Sequence, residues 1–189
     1  MTRRLCPALL ALALLLAPSP GRAQDRQTTL EHNGSLSLFA TLGAEYSALV
    51  VTDCDTCTDA SGNSHPKSIS GLNSNLDVGG SIAVGQSGSE ILLRGRFTFL
   101  SPAWGGSVLL GYRKYFGKDE FKTFVSFDLM GTFRPVKTVG ARAAFGVMWD
   151  FSPIMGLWVD AGGTFGLGVG RRFGGELNVG FQARSYLLE

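Results

Sequence analysis

FKTFVSFDLMGTF, residues 121–133, decides how the chain is read. Every second residue (Phe121, Thr123, Val125, Phe127, Leu129, Gly131, Phe133) belongs to an almost wholly apolar set. The residues between them, Lys122, Phe124, Ser126, Asp128, Met130 and Thr132, are polar with two exceptions. Successive side chains of a strand point to opposite faces, so a period of two predicts a strand. Its length is about twice the roughly 5–6 residues of an average soluble strand, and close to the ~9–11 plus flanks that cross a bilayer at a tilt. The stretch reads as one stave of a transmembrane barrel.

The beginning of the chain predicts its compartment. Arg3 and Arg4 precede an apolar run from Ala8 to Ala17, and residues 18–23 supply a breaker and a small-residue ending before Gln24. That pattern predicts a secretory signal peptide over residues 1–23, cut after Ala23. Its apolar run is too short for a membrane helix, which needs about 20 residues. Cys6 lies ahead of the run and is not placed for lipid attachment. Removing Arg3, Arg4 and Arg22 with the signal leaves 166 residues (189 − 23) and 14 basic (17 − 3) against 15 acidic side chains, a net charge of −1. No basic patch speaks for nucleic acid, and no later stretch reaches the roughly 18 apolar residues of a membrane helix.

Residues 24–34 read as a polar periplasmic lead-in, with His32 a solvated residue. Eight alternating segments follow, at 35–46, 72–85, 90–100, 107–116, 121–133, 138–151, 155–169 and 173–186. Turn-forming residues separate them, at 86–89, 101–106, 117–120, 134–136, 152–154 and 170–172. The one long loop is predicted at 47–71.

Alternation does not say which face is wet. A soluble barrel would hold the apolar set inside. Three features favour the inverse: the strand lengths, one uniformly tight set of turns opposite a set holding the long loop, and the aromatics. Tyr46, Phe99, Trp104, Phe133 and Phe173 collect near the external rim, and Phe116, Phe121, Trp149, Phe151 and Tyr186 near the periplasmic one. The polar face then lines the lumen. Acids Glu45, Asp77, Glu90, Asp128, Asp150, Asp160 and Glu176 stand among bases Arg94, Arg96, Arg113, Lys122, Arg142 and Arg184. An isolated ion out of water is costly, so these charges are expected to be paired in an interior network. In an eight-stranded barrel the side chains fill the lumen. The inward glycines Gly140, Gly146, Gly162, Gly166 and Gly168 are expected to leave room for water.

With those features in place, residues 35–186 resemble the small eight-stranded outer-membrane β-barrel family that includes the OmpA transmembrane domain and OmpX. The resemblance rests on the signal peptide, strand count, alternation, aromatic girdles and inward charges such as Arg142 and Glu176. It implies an all-β fold over residues 35–189, an eight-stranded antiparallel up-and-down transmembrane barrel. It also implies insertion in the outer membrane of a Gram-negative bacterium by the barrel assembly machinery, among outer-membrane lipid and lipopolysaccharide. Relatives usually end on an aromatic residue which that machinery recognises; here the chain ends Tyr186-Leu-Leu-Glu189, so Tyr186 takes that part. One activity is not implied, since relatives are anchors, adhesins, resistance factors or lipid enzymes.

Cys54-Asp-Thr-Cys57 is the one constellation with chemistry of its own. In an external loop of an exported protein it reads as a disulfide, Cys54 to Cys57, clipping a turn. A redox role lacks the βαβ setting, and a metal site of Cys54, Cys57 and His65 with Asp53, Asp55 or Asp59 lacks an evident fourth ligand. The three aspartates also miss the calcium-loop spacing. His65 near Ser61, Ser64 and Ser68 is the only arrangement from which a serine nucleophile could be drawn. The expectation is therefore no catalytic residue, no metal and no cofactor. The chain reads as an outer-membrane barrel of structural or interaction type, with a plugged polar lumen and a surface partner for loop 47–71. The alternatives are a lipid A-modifying enzyme and a narrow channel.

Overall fold

The computed structural model describes His32 and residues 34–51, 67–84, 88–99, 104–117, 119–134 and 136–186. Eight strands follow one another: β1 Ser35–Val51, β2 Lys67–Val84, β3 Ser89–Phe99, β4 Trp104–Phe116, β5 Phe121–Arg134, β6 Thr138–Ser152, β7 Met155–Gly168 and β8 Gly170–Tyr186. Each pairs antiparallel with the next, and β8 pairs with β1 to close the wall. Closure removes both sheet edges, and with them the unpaired N–H and C=O groups that hydrocarbon cannot satisfy.

The register sets the shape. Partners can be followed round the wall from Ala40 through Val78, Gly95, Val108, Gly131, Val139, Leu167 and Arg171. They return to β1 at Val50, ten residues on (50 − 40 = 10). Eight strands with that stagger tilt by about 40° and hold the backbone about 8 Å from the axis, close enough for opposed side chains to meet. Each residue then advances about 2.5 Å along the axis. Even β3, the shortest strand at 11 residues, covers the ~25 Å apolar band of such barrels.

Two sequence expectations change here. Residues 47–51 and 67–71 are not loop: they pair with one another from Ser47↔Gly71 to Val51↔Lys67. Strand β8 begins at Gly170 instead of Phe173 and runs along this extension, Val51 opposite Gly170. The ten-residue stagger is the reason, because the upper end of β8 meets β1 only if β1 continues past its neighbours. The connection between β1 and β2 lies outside the described residues and spans 52–66. Residues 1–31, the predicted signal and most of the lead-in, also lie outside them.

Burial alternates residue by residue in the inverted sense. On β5, Lys122, Phe124, Ser126, Asp128, Met130 and Thr132 are buried while Phe121, Val125, Phe127 and Leu129 are exposed. Leu42 is 67% exposed and Leu72 75%, whereas Glu45 and Asp77 are wholly inaccessible. An apolar outer wall around a charged interior is the pattern of a barrel in lipid. Aromatic rings mark both ends of the outer face. Phe121 and Trp149 stack at 5.9 Å beside Phe151 at the near end, where the chain enters the barrel, and Phe165 meets Phe173 at 5.2 Å at the far end.

The turns at the near end are laced to the following strand. Gly88 O accepts from Tyr115 N–H, Glu120 O from Asp150 N–H and Ile154 O from Arg184 N–H, at 2.7–2.8 Å. Each of these bonds ties a near-end turn to a strand of the wall beside it.

Candidate functional site

The interior is the site that the strands enclose, and it is layered. The far-end layer is built on two arginines. Arg96 on β3 donates to both oxygens of Asp77 on β2, at 2.7 and 2.8 Å, and to Glu176 on β8 at 2.5 Å. Arg142 on β6 reaches Glu176 and also donates to Asp160 at 2.5 Å and Asp128 at 3.2 Å. Arg94 holds the other oxygen of Asp128 at 2.5 Å. Two carboxylates, Glu45 and Glu176, stand directly opposite each other on β1 and β8. Like charges at that distance repel. Cations offset this: Arg96 and Arg142 hold Glu176, Arg172 lies 2.8 Å from each oxygen of Glu45, and Arg96 also comes within 3.9 Å of Glu45. Asn178 adds N–H donors to Asp160 and Glu176.

Beneath this layer lies an aromatic slab of Phe39, Leu92, Phe124, Met148 and Trp158 with Tyr115, all buried. Phe39 packs edge-on against Trp158 at 5.7 Å, and Tyr115 against Phe124 at 5.7 Å. Arg113 is embedded in the slab. Its guanidinium lies 4.5 Å from the Phe124 ring centre and 4.8 Å from that of Trp158, and it donates to the Tyr115 hydroxyl at 3.1 Å. Arg113 makes no ion pair among the described residues, which departs from the expectation that every lumen charge meets an opposite one. Ring faces and a hydroxyl dipole take that part, because a π-face attracts a cation most strongly when water is excluded.

The near-end layer is closed by a residue from outside the wall. His32 sits beneath the slab, its Nδ1 2.8 Å from Glu90 on β3 and its Nε2 2.9 Å from Asp150 on β6. Tyr115 meets the imidazole edge-on at 4.4 Å. Asp150 is also held by Lys122 and by Arg184 at 2.5 Å, and Glu90 accepts from Ser81 at 3.1 Å and Gln182 at 3.3 Å. The chain reaches this position through a tight turn. The His32 carbonyl accepts from Ser35 N–H at 3.1 Å and Ser35 Oγ at 2.6 Å, and Gly34 has φ +68°, where a side chain would be strained. His32 is thus buried, contrary to its reading as a solvated lead-in residue; Glu90 and Asp150 face one gap, and the ring fills it with a nitrogen toward each.

All thirteen predicted lumen charges, Glu45, Asp77, Glu90, Arg94, Arg96, Arg113, Lys122, Asp128, Arg142, Asp150, Asp160, Glu176 and Arg184, point inward and are buried. Apart from Arg113, which lies within the slab, they fall into two groups, one on either side of it. Pattern reading missed Arg172, assigned to a turn, and the inward aromatics Phe39, Tyr115 and Trp158. The parity of β8 would have located Arg172 had its start been placed at Gly170. With Arg172, seven buried Lys and Arg face seven buried Asp and Glu among the described residues.

The inward glycines are covered, not vacant. A Cβ on Gly146 would fall 2.6 Å from the Val159 carbonyl and also meet the Phe124 ring. One on Gly180 would run into the Trp158 indole, and at Gly140, Gly162 and Gly168 it would meet neighbouring backbone. The Phe124 and Trp158 rings lie across Gly146 and Gly180 of the adjacent strands and fill the lumen there.

Cys54, Cys57, His65, Ser61, Ser64, Asp53, Asp55 and Asp59 lie outside the described residues; Ser68 is exposed on β2. No group of three or more His, Cys, Asp and Glu suited to a metal occurs among the described residues.

Together the closed register, apolar wall and filled interior define a transmembrane β-barrel of eight antiparallel strands. No family model matches the chain, and no curated protein matches it. Among solved structures it is similar to a de novo designed transmembrane β-barrel, with 12% identity and a TM-score of 0.53 over 80% of this chain and 96% of that one. Neisserial surface protein A aligns at 13% identity and a TM-score of 0.48, over 77% of this chain and 96% of its own. The N-terminal barrel of Pseudomonas aeruginosa OprF aligns at 14% and 0.44, over 75% and 96%. The likeness to the designed barrel is one of fold.

Proposed function

We propose that the chain is an exported, non-enzymatic barrel of a bacterial outer membrane, closed to solutes, whose working surface is its far, external end. The observation that carries this reading is the lumen: two layers of paired charges with an aromatic slab between them. An ion passing along the axis would have to displace Phe124 and Trp158, both essentially inaccessible, and break pairs on either side. Export is supported by the pattern of residues 1–23 and an outer-membrane location by the apolar wall, since barrels of this kind are the outer-membrane solution to spanning lipid. The connection 52–66, predicted to hold a Cys54–Cys57 disulfide, is longer than a hairpin needs and supports contact with a surface partner. Assembly by the barrel assembly machinery, with Tyr186 as its aromatic signal, belongs to the same reading.

Two measurements test it. Purified chain in planar bilayers should give no unitary conductance, and detergent fractionation of cells should place it with the outer membrane. Steady conductance would replace the closed reading with a narrow channel. An altered lipid A profile in cells expressing the chain, abolished by His65→Ala, would replace it with an enzyme.

A further inference from the structure

Among the described residues, exposed carboxylates are confined to one end of the wall. Among the described residues, the exposed carboxylates are Asp119 and Glu120, both in the near-end turn between β4 and β5. The far end carries Arg134, Lys137 and Arg171, all exposed. No carboxylate of the described residues pairs with any of the three. Among the described residues, the acids toward that end, Glu45, Asp77 and Glu176, are buried and held by lumen arginines.

The three cations lie on one arc. Val169 N–H donates to the Lys137 carbonyl at 3.4 Å, so the start of β6 rests against the β7–β8 turn, two residues from Arg171. Arg134 ends the preceding strand. With neighbouring strands about 4.8 Å apart, the three backbone positions fall within about 15 Å.

Arg134 owes its place to a bulge. Along β5 the even residues from Lys122 to Thr132 face the lumen, and Arg134 would follow them. Instead Gly106 pairs with Arg134 while Ser107 pairs with Thr132, leaving Phe133 as an extra residue. The inserted residue turns Arg134 outward. Its guanidinium lies over the Trp104 ring at 4.8 Å. A cation stacked on an indole at the aromatic girdle is held at the level where lipid headgroups begin.

We propose that this arc binds the phosphate-bearing headgroup of an anionic lipid in the leaflet at the far end, its acyl chains running down the adjoining apolar wall. The assignment of that leaflet as external rests on the proposed function. A free phosphate would use the charges alone; the girdle of Trp104, Phe133, Phe165 and Phe173 around them favours a ligand with acyl chains. Each cation near an anionic lipid surface is worth roughly fivefold in binding.

The full chain in detergent, mixed in turn with bis-phosphorylated lipid A, its dephosphorylated form and inorganic phosphate, tests this by native mass spectrometry. Lipid A should be retained and should be lost as salt is raised. Arg134→Gln, Lys137→Gln and Arg171→Gln should each weaken retention roughly fivefold, and the triple variant on the order of a hundredfold. Lys114→Gln, on the outer face toward the near end, should leave it unchanged. Equal retention by the wild-type and triple-variant chains overturns the proposal, as does equal retention of dephosphorylated lipid A. Binding of inorganic phosphate with the same dependence on the three residues would make the arc a phosphate site and end the lipid assignment. Heat-modifiable migration on gels checks that each variant folds, and the single variants carry the result if the triple does not fold. Binding in detergent does not depend on where the protein resides, so its failure is distinct from that of the fractionation and conductance experiments.

Discussion

His32 and Asp150 are 118 residues apart in the chain and 2.9 Å apart in the folded barrel. Glu90, from a third region, completes the contact on the other ring nitrogen at 2.8 Å. A segment ahead of the first strand thereby fastens β3 to β6 across the lumen. His32→Ala should leave the barrel folded, with Lys122 and Arg184 still on Asp150, but less stable by about 1–3 kcal/mol. Urea titration of the heat-modifiable form measures this, and a midpoint equal to wild type would mean that the bridge contributes nothing.

Arg142 carries a heavier obligation, since Glu176, Asp160 and Asp128 all depend on it. Arg142→Met leaves buried carboxylates without their cation and should cost about 3–5 kcal/mol. Adding Asp160→Asn should recover part of that loss, because the neutral amide no longer needs the charge. Refolding yields into lipid vesicles for the two single variants and the double form the cycle that isolates the pair. Strict additivity would mean that the two side chains do not interact.

On the outer face the test is of the opposite kind. Val125 is 44% exposed to what should be hydrocarbon, and Val125→Arg near the midplane should destabilise by ~2–4 kcal/mol. In a water-soluble barrel the same exposed substitution would be almost neutral, so the measured value reports which solvent the wall meets.

Glycines separate the two faces again. Gly131 faces outward with nothing within 4 Å of where a methyl would stand, and Gly131→Ala should be tolerated or stabilise by up to about 1 kcal/mol. Gly146→Ala forces its new methyl against the Val159 carbonyl and the Phe124 ring and should cost about 1–3 kcal/mol. Equal effects at the two positions would show that the Phe124 ring does not lie across Gly146.

The connection between β1 and β2 offers a last check. Deleting residues 53–65 should spare barrel folding, whereas deleting 50–68 removes the paired residues from Val50↔Ser68 to Val51↔Lys67 along with it and should lower refolding yield. Refolding assays on both deletions distinguish the hairpin stem from what it carries.

The alternation of Phe121–Phe133 and its seven counterparts suffices to place the strands, their inward and outward faces and most of the lumen charges. A period of two is a local property, so sequence alone determines it: Lys122 and Asp128 had to share a face whatever that face met. Which cation would meet which carboxylate was legible only between strands adjacent in the chain, as for Lys122 with Asp150 and Asp128 with Arg142. The rest depends on the ten-residue stagger, a property of the closed sheet that no single segment encodes. That stagger extends β1 to Val51, brings Arg172 to Glu45 and sets Arg96 between Asp77 and Glu176. Likewise a polar segment with one histidine reads as solvated, and only the lumen, with Glu90 and Asp150 converging from distant strands, makes His32 an interior residue. Sequence determined the wall because each stave alternates on its own; tertiary structure decided the interior because its contacts run across the barrel, between residues that the chain keeps far apart.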